Sequence, residues 1–267
     1  MALYIVGTPI GNLKDITERA RETLAKADMI ACEDTRHTAI LLQNLGIKKP
    51  LVSYYKQKER AGAEKLVELL KEGKEIALVS DAGMPVISDP GAILVKAARE
   101  AGIAVESVPG PTAVTTAAAL AGLDGGFVFL GFLPEKKSDK DKRIAPFLHS
   151  PLPLAFYAGP HDVKNILDYL HEALGDRKAY LARELTKLHE TLTEITLAEG
   201  YSEEPRGEYV ILVEGKEQAS PYLDRSPEEH LQAYLDMGID KKDAIKKVAA
   251  ERGVPKDEIY QLTVKKQ

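Results

Sequence analysis

Short apolar runs alternate with helical segments through the first half of the chain, and this alternation restricts the possible folds more than any other feature. The apolar runs cover residues 3–7, 29–33, 51–55, 75–79 and 104–108. Each one leads into a polar turn and then into a stretch with helical spacing, which is typical of strands joined by crossover helices. A crossover helix returns the chain to the same end of the sheet, so the next strand pairs in parallel. We therefore predict an N-terminal α/β domain with a parallel sheet over residues 1–134.

The second half of the chain follows another pattern. Residues 154–159, 178–185, 190–200 and 208–215 have the composition of strands. Most of these strands follow one another without a helix, so this half is expected to hold a mixed sheet. The run FVFLGFLP at 127–134 closes the first half, and the lysine-rich run at 135–143 opens the second as a basic linker. We assign residues 135–224 to this second α/β domain.

The C-terminal segment, residues 225–267, has helical signals throughout, and Pro227 is suited to a first helical turn. The residues predicted to cap or end its helices are Ser226, Gly238, Asp240 and Gly253. The run ERGVPKDEIY resembles the turn of a helix-turn-helix motif. The lysines of this segment are balanced by acidic residues, so a basic patch exists only if folding separates the two.

Composition limits the classes of protein that fit. The chain has 44% hydrophobic and 29% charged residues, which indicates a soluble globular protein. Its net charge of −5 gives no general attraction to nucleic acid, so any RNA contact must come from a local patch. The single cysteine, Cys32, fits a reducing compartment. No basic stretch precedes the first apolar run and no run reaches the roughly 18 apolar residues of a membrane span, so we expect a cytoplasmic protein with no membrane contact.

The run SDAGMPVISDPG at 80–91, called the long loop below, joins the fourth predicted strand to a helix. Its length of about twelve residues exceeds the roughly two to six that such a connection needs. Glycines that permit positive φ and prolines that fix φ predict a stiff loop, and Asp89 before Pro90 is expected to cap the next helix. Ligands of parallel sheets bind at this end of the strands, although Asp, Gly and Pro are also the residues of any tight turn.

Three further loops share the polar character of the long loop. They are TPIGN at 8–12, EDTRHT at 33–38 and PGPTA at 109–113. If the sheet is parallel, all four loops can meet at one edge and form one crevice. None matches the glycine-rich motifs that hold dinucleotides or nucleoside triphosphates, and their charge is mainly acidic. A cationic or neutral ligand suits them better than a polyphosphate.

Other polar clusters have an ordinary structural explanation beside a functional one. The six histidines lack ligand spacing, so no metal site is predicted, and no G-x-S-x-G motif places a serine nucleophile. RELTK at 183–187 ends a strand and suits either a solvated salt bridge or a substrate contact. The lysines at 136–143 suit either a solvated loop or a loop that contacts phosphate.

Six blocks of the sequence together resemble the ribosomal small-subunit methyltransferase I family, a branch of the tetrapyrrole methylase superfamily. They stand in the family's order and are TPIGNLKDIT (8–17), CEDTRHT (32–38), SDAGMPVISDPG (80–91), PGPTA (109–113), GFLP (131–134) and RELTK (183–187). The resemblance runs from residue 1 to about residue 215. Gly7 stands where alanine is more usual, and Thr112 where many relatives have serine.

The resemblance implies two α/β domains of the tetrapyrrole methylase type and transfer of a methyl group from S-adenosylmethionine. The implied acceptor is the ribose 2′-hydroxyl of a cytidine in small-subunit rRNA, usually numbered 1402, presented as rRNA or as the 30S subunit to a homodimeric enzyme. S-adenosylmethionine would lie between the two domains. The residues that match the family's cofactor contacts are Pro9, Asp81, Ala82, Gly83, Met84, Thr112, Ala113 and Tyr157. Its positive sulfonium suits the acidic long loop.

Within this resemblance, positions at strand ends indicate catalytic roles. Asp34 and Glu184 are the candidate bases, and Lys187 is the candidate that stabilises the developing oxyanion. Arg36 and Arg183 are candidate clamps for a phosphate or a carboxylate. Two other functions stay open: methylation of a tetrapyrrole carbon, and a non-catalytic ribosome-binding role with a vestigial pocket. RELTK, the lysine-rich run and the helical tail favour RNA.

Overall fold

The computed structural model of the chain describes residues 1–216 and 222–263. The chain divides into two compact units, Met1–Lys216 and Glu217–Gln267. Two β-sheets with their helices make up the first unit, and the described part of the second is helical, so the predicted fold class is confirmed. The boundaries at 134 and 224 stay a prediction. Among the described residues, no helix is long and apolar enough to cross a membrane.

Within the described part of the chain, the first sheet has five strands, all parallel, as predicted. They are β1 (Ala2–Val6), β2 (Met29–Cys32), β3 (Leu51–Ser53), β4 (Ile76–Leu78) and β5 (Ala104–Val108). Their order is β3-β2-β4-β1-β5, which puts β4 and β1 side by side near the centre. The crossover from β1 leads toward β2 on one side and that from β4 toward β5 on the other, an arrangement that opens a crevice at the carboxyl ends of the strands.

Helices cover both faces of this sheet. They are α1 (Glu18–Lys26), α2 (Thr35–Leu45), α3 (Glu59–Lys71) and α4 (Ala92–Glu100). The first two pack on one face and the last two on the other. Strands buried on both faces need apolar side chains at successive positions, which explains their continuous apolar runs. Thr17 caps α1, because its side chain accepts a hydrogen bond from Ala20 N–H at 3.1 Å.

The second sheet is mixed, as predicted. Its strands are β6 (Val128–Phe132), β7 (Leu154–Ala158), β8 (Lys178–Arg183), β9 (Thr191–Thr196) and β10 (Tyr209–Val213). The order is β6-β7-β10-β8-β9, with β6 and β7 parallel and the other pairs antiparallel. The strand in the run at 127–134, which is expected to close the first half, pairs only within the second sheet among the described residues. Periodicity identifies a strand but not its partner.

The lysine-rich run forms helix α6 (Lys137–Ile144), so the loop predicted there is wrong, while its role as a linker stays a prediction. Ile144 is buried in the core of the second sheet. The guanidinium of Arg143 donates a hydrogen bond to Leu130 O on β6 at 2.6 Å. These two contacts hold the last turn of a strongly charged helix on the sheet, and composition alone does not reveal such contacts between distant residues.

Helix α5 (Ala113–Leu120) connects the two sheets. It starts shortly after β5, yet Val114 and Ala117 are buried in one cluster with Ala155 and Val210 of the second sheet. Helix α7 (Val163–Leu174) covers the opposite face of that sheet. The small side chains of α5 allow its backbone to lie close to the strands. Packing on α5 therefore fixes the second sheet relative to the end of β5.

The described part of the C-terminal unit contains helices α8 (Pro227–Asp236), α9 (Lys241–Arg252) and α10 (Lys256–Leu262). Ser226 and Asp240 cap α8 and α9 through their side chains, and Gly238 and Gly253 follow the two helices at positive φ, as predicted. Ser226 takes part in a capping box, because its hydroxyl accepts from Glu229 N–H at 3.2 Å and Ser226 N–H donates to the Glu229 carboxylate at 3.0 Å. The resemblance to a helix-turn-helix stays a prediction.

We expect Ser226→Ala to destabilise α8. The substitution removes the acceptor of Glu229 N–H, which lowers the free energy of unfolding of the C-terminal unit by about 1 kcal/mol. Hydrogen exchange of the α8 amides under native conditions measures this change. Glu228→Gln is the matched control in the same helical turn. An equally large effect of the control would contradict the capping role.

Candidate functional site

Main-chain hydrogen bonds join the loops that follow β1 and β4. Thr8 N–H donates to Gly83 O at 2.9 Å, and Gly83 N–H donates to Thr8 O at 3.1 Å. The Thr8 hydroxyl is buried and donates to Ser80 O at 3.2 Å. Gly83 has a φ of 78°, a conformation that glycine adopts far more easily than other residues. The start of the long loop is thereby fixed at the centre of the sheet edge.

The loops after β5 and β2 reach the same edge. A Cβ built on Gly7 would lie 2.7 Å from Gly110 Cα, so the end of β1 and the loop after β5 touch through their backbones. On the other side, Asp34 N–H donates to Asp81 Oδ1 at 3.3 Å. All four loops singled out in the sequence therefore meet at one edge of the first sheet.

Part of the long loop has a strained backbone. Val86 and Ser88 have φ values of 77° and 74°, which cost on the order of 1–3 kcal/mol each for residues other than glycine. Gly91 N–H donates to Glu59 Oε1 at 2.8 Å, which fixes Gly91 as the N-cap of α4. The helix cap predicted at Asp89 is therefore wrong, and its carboxylate stays available to the sheet edge.

Carboxylates are crowded at this edge. Burial raises the pKa of Asp89 to about 6, and the negative charges of Glu33 and Asp81 add to the rise while a hydrogen bond with Ser80 opposes it. Burial, followed by the charge of Asp81, also raises the pKa of Glu33. Burial and neighbouring negative charges both disfavour the ionised forms of Asp89 and Glu33, and a positive charge placed among these carboxylates would favour them. The edge therefore fits a cationic ligand, such as the sulfonium expected from the resemblance.

The second sheet contributes Tyr157 to the same place. Burial raises the pKa of Tyr157, a backbone hydrogen bond from Val114 opposes the rise, and the negative charge of Asp89 adds to it. Tyr157 therefore lies between the first turn of α5 and the long loop. Thr112 and Ala113, which directly precede Val114, lie in that first turn.

The other predicted cofactor residues lie in the joined loops. Pro9 follows the bridge at Thr8, and Ala82 to Met84 surround the bridge at Gly83. The sulfur of Met84 lies 2.7 Å from the Cβ position built on Gly7. The structure thus brings the predicted cofactor residues to one edge, and their contact with a cofactor stays a prediction.

The RELTK segment lies against the loop after β1. A Cβ built on Gly11 would lie 2.6 Å from Lys187 Cγ and 2.8 Å from Thr186 Oγ1. Leu185 is buried in the cluster formed by α5 and the second sheet. Glu184 and Thr186 have φ values of 51° and 66°, so this turn is strained as well. Lys187 is thereby positioned beside the loop that carries the predicted cofactor residue Pro9.

Glu184 is the centre of a hydrogen-bonded group. Lys187 Nζ donates to Glu184 Oε1 at 2.9 Å, and Glu208 N–H donates to the same oxygen at 3.1 Å. Burial raises the pKa of Glu184, but the hydrogen bonds from Lys187 and Glu208 outweigh burial, so this pKa lies below its ordinary value. A carboxylate with a lowered pKa accepts a proton poorly, which disfavours Glu184 as the base.

Asp34 is likewise engaged, with Arg36. The guanidinium of Arg36 donates through Nε at 3.1 Å and through its terminal nitrogen at 2.7 Å, and Arg36 N–H donates at 2.8 Å. The hydrogen bonds from Arg36 hold the pKa of Asp34 far below its usual range, which disfavours Asp34 as the base. Asp34 instead caps α2. Among the described residues, no hydrogen bond or ion pair links this pair to Glu184 and Lys187.

Arg183 is the second residue predicted to bind a phosphate or a carboxylate, and it lies near a carboxylate of this chain. Its guanidinium lies 3.9 Å from Glu203 Oε2. Arg183 Nε is buried and has no hydrogen-bond partner in the part of the chain that the structure describes. In the same part of the chain, no group of three His, Cys, Asp or Glu side chains could hold a metal ion.

Comparison with known proteins identifies the family. The sequence profile of Tetrapyrrole (Corrin/Porphyrin) Methylases matches residues 2–200. The ribosomal RNA small subunit methyltransferase I of Halalkalibacterium halodurans is 43% identical over 97% of this chain and 93% of its own length. The chain belongs to the ribosomal RNA small subunit methyltransferase I family. The Bacillus subtilis member is 42% identical over 97% of this chain and 92% of its own length.

Members of the methyltransferase I family differ in extent. The Thermotoga maritima member is 44% identical, and 80% of this chain accounts for 99% of that protein. About a fifth of the present chain thus has no counterpart in it. Because the family profile ends at residue 200, the shared part fits the unit Met1–Lys216.

Solved structures show the same fold at lower identity. The methyltransferase CobJ has a TM-score of 0.64 and 23% identity, over 80% of this chain and 94% of its own. A uroporphyrin-III C-methyltransferase from Thermus thermophilus, solved with S-adenosyl homocysteine, has a TM-score of 0.58 and 21% identity, over 79% of this chain and 97% of its own. At these identities the similarity establishes the fold alone.

Sequence reasoning missed two parts of this methyltransferase I site. The sequence predicts a helix cap at Asp89, whereas its raised pKa comes first from burial and then from the negative charges of Glu33 and Asp81, all of which depend on the tertiary structure. Gly207 packs against the Glu184 side chain so closely that no Cβ fits, and Glu208 N–H bonds the same carboxylate. The sequence signal that could have predicted this contact is Gly207, which stands directly before the strand predicted at 208–215.

We expect Asp89→Asn to stabilise the fold at neutral and basic pH. The raised pKa of Asp89 means that the folded state favours the protonated acid, so stability from this group is present at low pH and is lost as the pH rises through about 6. Removing the charge should raise the free energy of unfolding at about pH 8 by on the order of 1 kcal/mol, with the gain shrinking toward about pH 4. Denaturant unfolding at both pH values tests this, with the exposed Asp124→Asn as control. A gain that does not depend on pH would contradict the assignment.

Proposed function

We propose that this chain is an S-adenosylmethionine-dependent methyltransferase that modifies the ribose 2′-hydroxyl of cytidine 1402 in small-subunit rRNA. The observation that carries the proposal is the meeting of the four loops with RELTK at one edge of the first sheet. Family membership supports rRNA as the class of substrate, since the relatives at 42–43% identity are named as ribosomal RNA methyltransferases. The 2′-oxygen and the particular cytidine come from the resemblance of the motifs.

The cofactor side of the site would consist of the joined loops and Tyr157. When bound, S-adenosylmethionine supplies an electrophilic methyl group on a positively charged sulfur. Asp81 and Asp89 would supply the negative charge that balances the positive sulfur of the cofactor. The backbone bridge between Thr8 and Gly83 would keep the loops from moving apart. A site that is rigid before binding loses little entropy when it positions two reactants, which is where much of the rate of a displacement arises.

The acceptor side would consist of RELTK and the loop after β1. The lowered pKa of Glu184 makes it a permanent anion that orients the ammonium of Lys187. Lys187 would then stabilise the negative charge that develops on the ribose oxygen as its proton passes to solvent water and the oxygen takes the methyl group from the sulfur. Asp34 would in the same way orient Arg36, whose guanidinium is exposed and available to a phosphate. Glu184 and Asp34 thus act as positioning partners of two cations in this proposal.

We also propose a homodimer in the cytoplasm that acts on rRNA or the 30S subunit. The support is the family resemblance. β5 is an edge strand with exposed side chains, which leaves room for a partner beside it. The structures of tetrapyrrole methyltransferases share the fold, so a tetrapyrrole remains the competing acceptor.

Methyl transfer from labelled S-adenosylmethionine tests the function. The acceptors are 30S subunits, protein-free small-subunit rRNA and uroporphyrinogen, each offered separately. We expect label in an rRNA acceptor, and nuclease digestion with mass mapping should find 2′-O-methylcytidine at one position. Label in uroporphyrinogen alone would support the tetrapyrrole function. Absence of heat in calorimetry with S-adenosylmethionine would support a non-catalytic protein.

We expect Lys187→Ala to lower the rate of methyl transfer about 100-fold, because a group that stabilises a developing oxyanion contributes on that order. Glu184→Gln should lower the rate less, since Lys187 remains. Single-turnover kinetics measures both rates, and calorimetry should find unchanged S-adenosylmethionine binding. Lys178→Ala is the control, because Lys178 forms a comparable ion pair with Glu194 at 2.8 Å on the same sheet. Near wild-type rates for both variants would remove the pair from the chemistry.

A further inference from the structure

Phe132 is an exposed aromatic residue at the edge of the candidate site. Its side chain is 57% exposed, and it ends β6 at the carboxyl end of the parallel pair β6–β7. Its partner across the two strands is Tyr157, which we place beside the cofactor loops. A single exposed apolar side chain is common on protein surfaces, so the inference depends on how this ring is held and on the groups near it.

A β-bulge determines where Phe132 points. Phe129 pairs with Ala155, and the register then shifts so that Gly131 pairs with Phe156 and Phe132 with Tyr157. Without the extra residue, side chains three positions apart on a strand would point to opposite faces. The bulge therefore places the rings of Phe129 and Phe132 on the same face as Tyr157.

The three rings form a fixed group. Tyr157 makes edge contacts with Phe129, at 4.9 Å between ring centres, and with Phe132, at 5.4 Å. Gly131, at a φ of 63°, lies so close to the Ser88 hydroxyl of the long loop that a Cβ would be 2.8 Å from it. Arg143 of α6 donates a hydrogen bond to Leu130 O, which lies in the bulge. The long loop and α6 thus contact the backbone that directly precedes Phe132, and Tyr157 contacts the exposed ring itself.

Two lysines follow the exposed ring in the sequence, after Glu135. Lys136 and Lys137 stand at the start of α6, four and five positions after Phe132. Lys137 pairs with Glu172, whereas Lys136 is exposed and has no ion pair among the described residues. An aromatic ring followed by free lysine is the combination that binds a base and its phosphate in single-stranded nucleic acid.

We propose that Phe132 is a stacking platform for a nucleobase of the RNA, at or next to the target cytidine, and that Lys136 contacts the adjoining phosphate. This inference rests on the proposed rRNA methyltransferase function. A base that is unpaired for modification loses its stacking partners, and a held aromatic ring replaces them. The ammonium of Lys136, which has no ion pair among the described residues, suits the phosphate next to a stacked base.

Binding of a short RNA with a fluorescent cytidine analogue at the target position tests the platform. Stacking on the wild-type protein should change the fluorescence of the analogue. Phe132→Ala should abolish that change and raise the Kd for the RNA about tenfold, since stacking on one side chain contributes on that order per base. Phe132→Trp should restore both. Leu152→Ala is the matched control, because Leu152 is 44% exposed at the opposite end of β7.

Salt dependence separates the two contacts. Lys136→Ala should reduce the slope of log Kd against log salt concentration by the contribution of about one phosphate contact. Phe132→Ala should leave this slope unchanged. Calorimetry with S-adenosylmethionine should give wild-type affinity for both variants.

Three outcomes would overturn the platform. They are a wild-type RNA affinity for Phe132→Ala, an equal loss of cofactor affinity, and a change of oligomeric state by sedimentation that accounts for the weakened binding. If the wild-type protein methylates rRNA while Phe132→Ala matches it, the platform fails and the proposed function stands. If the wild-type protein neither binds nor methylates RNA, the proposed function fails first.

Discussion

The backbone bridge between Thr8 and Gly83 is the contact on which the candidate site depends. It joins the exits of two adjacent parallel strands at the point where their crossovers diverge. The bridge needs glycine at residue 83, and the neighbouring approach of Gly7 to Gly110 leaves no space for side chains. The loops can therefore meet only because small residues stand at these positions. Every polar group at the edge takes its place from that meeting.

The carboxylates at this sheet edge are of two kinds. Asp34 and Glu184 are each bound to a cation of this chain, and both have lowered pKa values. Glu33 and Asp89 are partly buried and form no ion pair among the described residues, and both have raised pKa values. The first kind orients Arg36 and Lys187, and the charged forms of the second would be favoured by a nearby cation. This division supports the proposed binding of a cationic donor beside an anionic acceptor.

The two sheets form one site because of helix α5. Its chain leaves β5 of the first sheet, its apolar face packs on the second sheet, and its first turn meets Tyr157. Strained turns lie on both sides of this contact, at Val86 and Ser88 and at Glu184 and Thr186. Backbone strain of this kind persists only where the surrounding packing holds it, and it is concentrated in functional loops.

Local sequence patterns were enough to predict the parallel first sheet, the mixed second sheet, the capped helices of the tail and the four loops at the sheet edge. These features follow from local periodicity and from residues with restricted φ, which need no knowledge of distant partners. Tertiary contacts were needed to place β6 in the second sheet, to identify the lysine-rich run as a helix, and to show that Asp89 is a crowded acid instead of a cap. Pairing, anchoring and charge crowding each depend on groups far apart in the chain, so no local pattern records them.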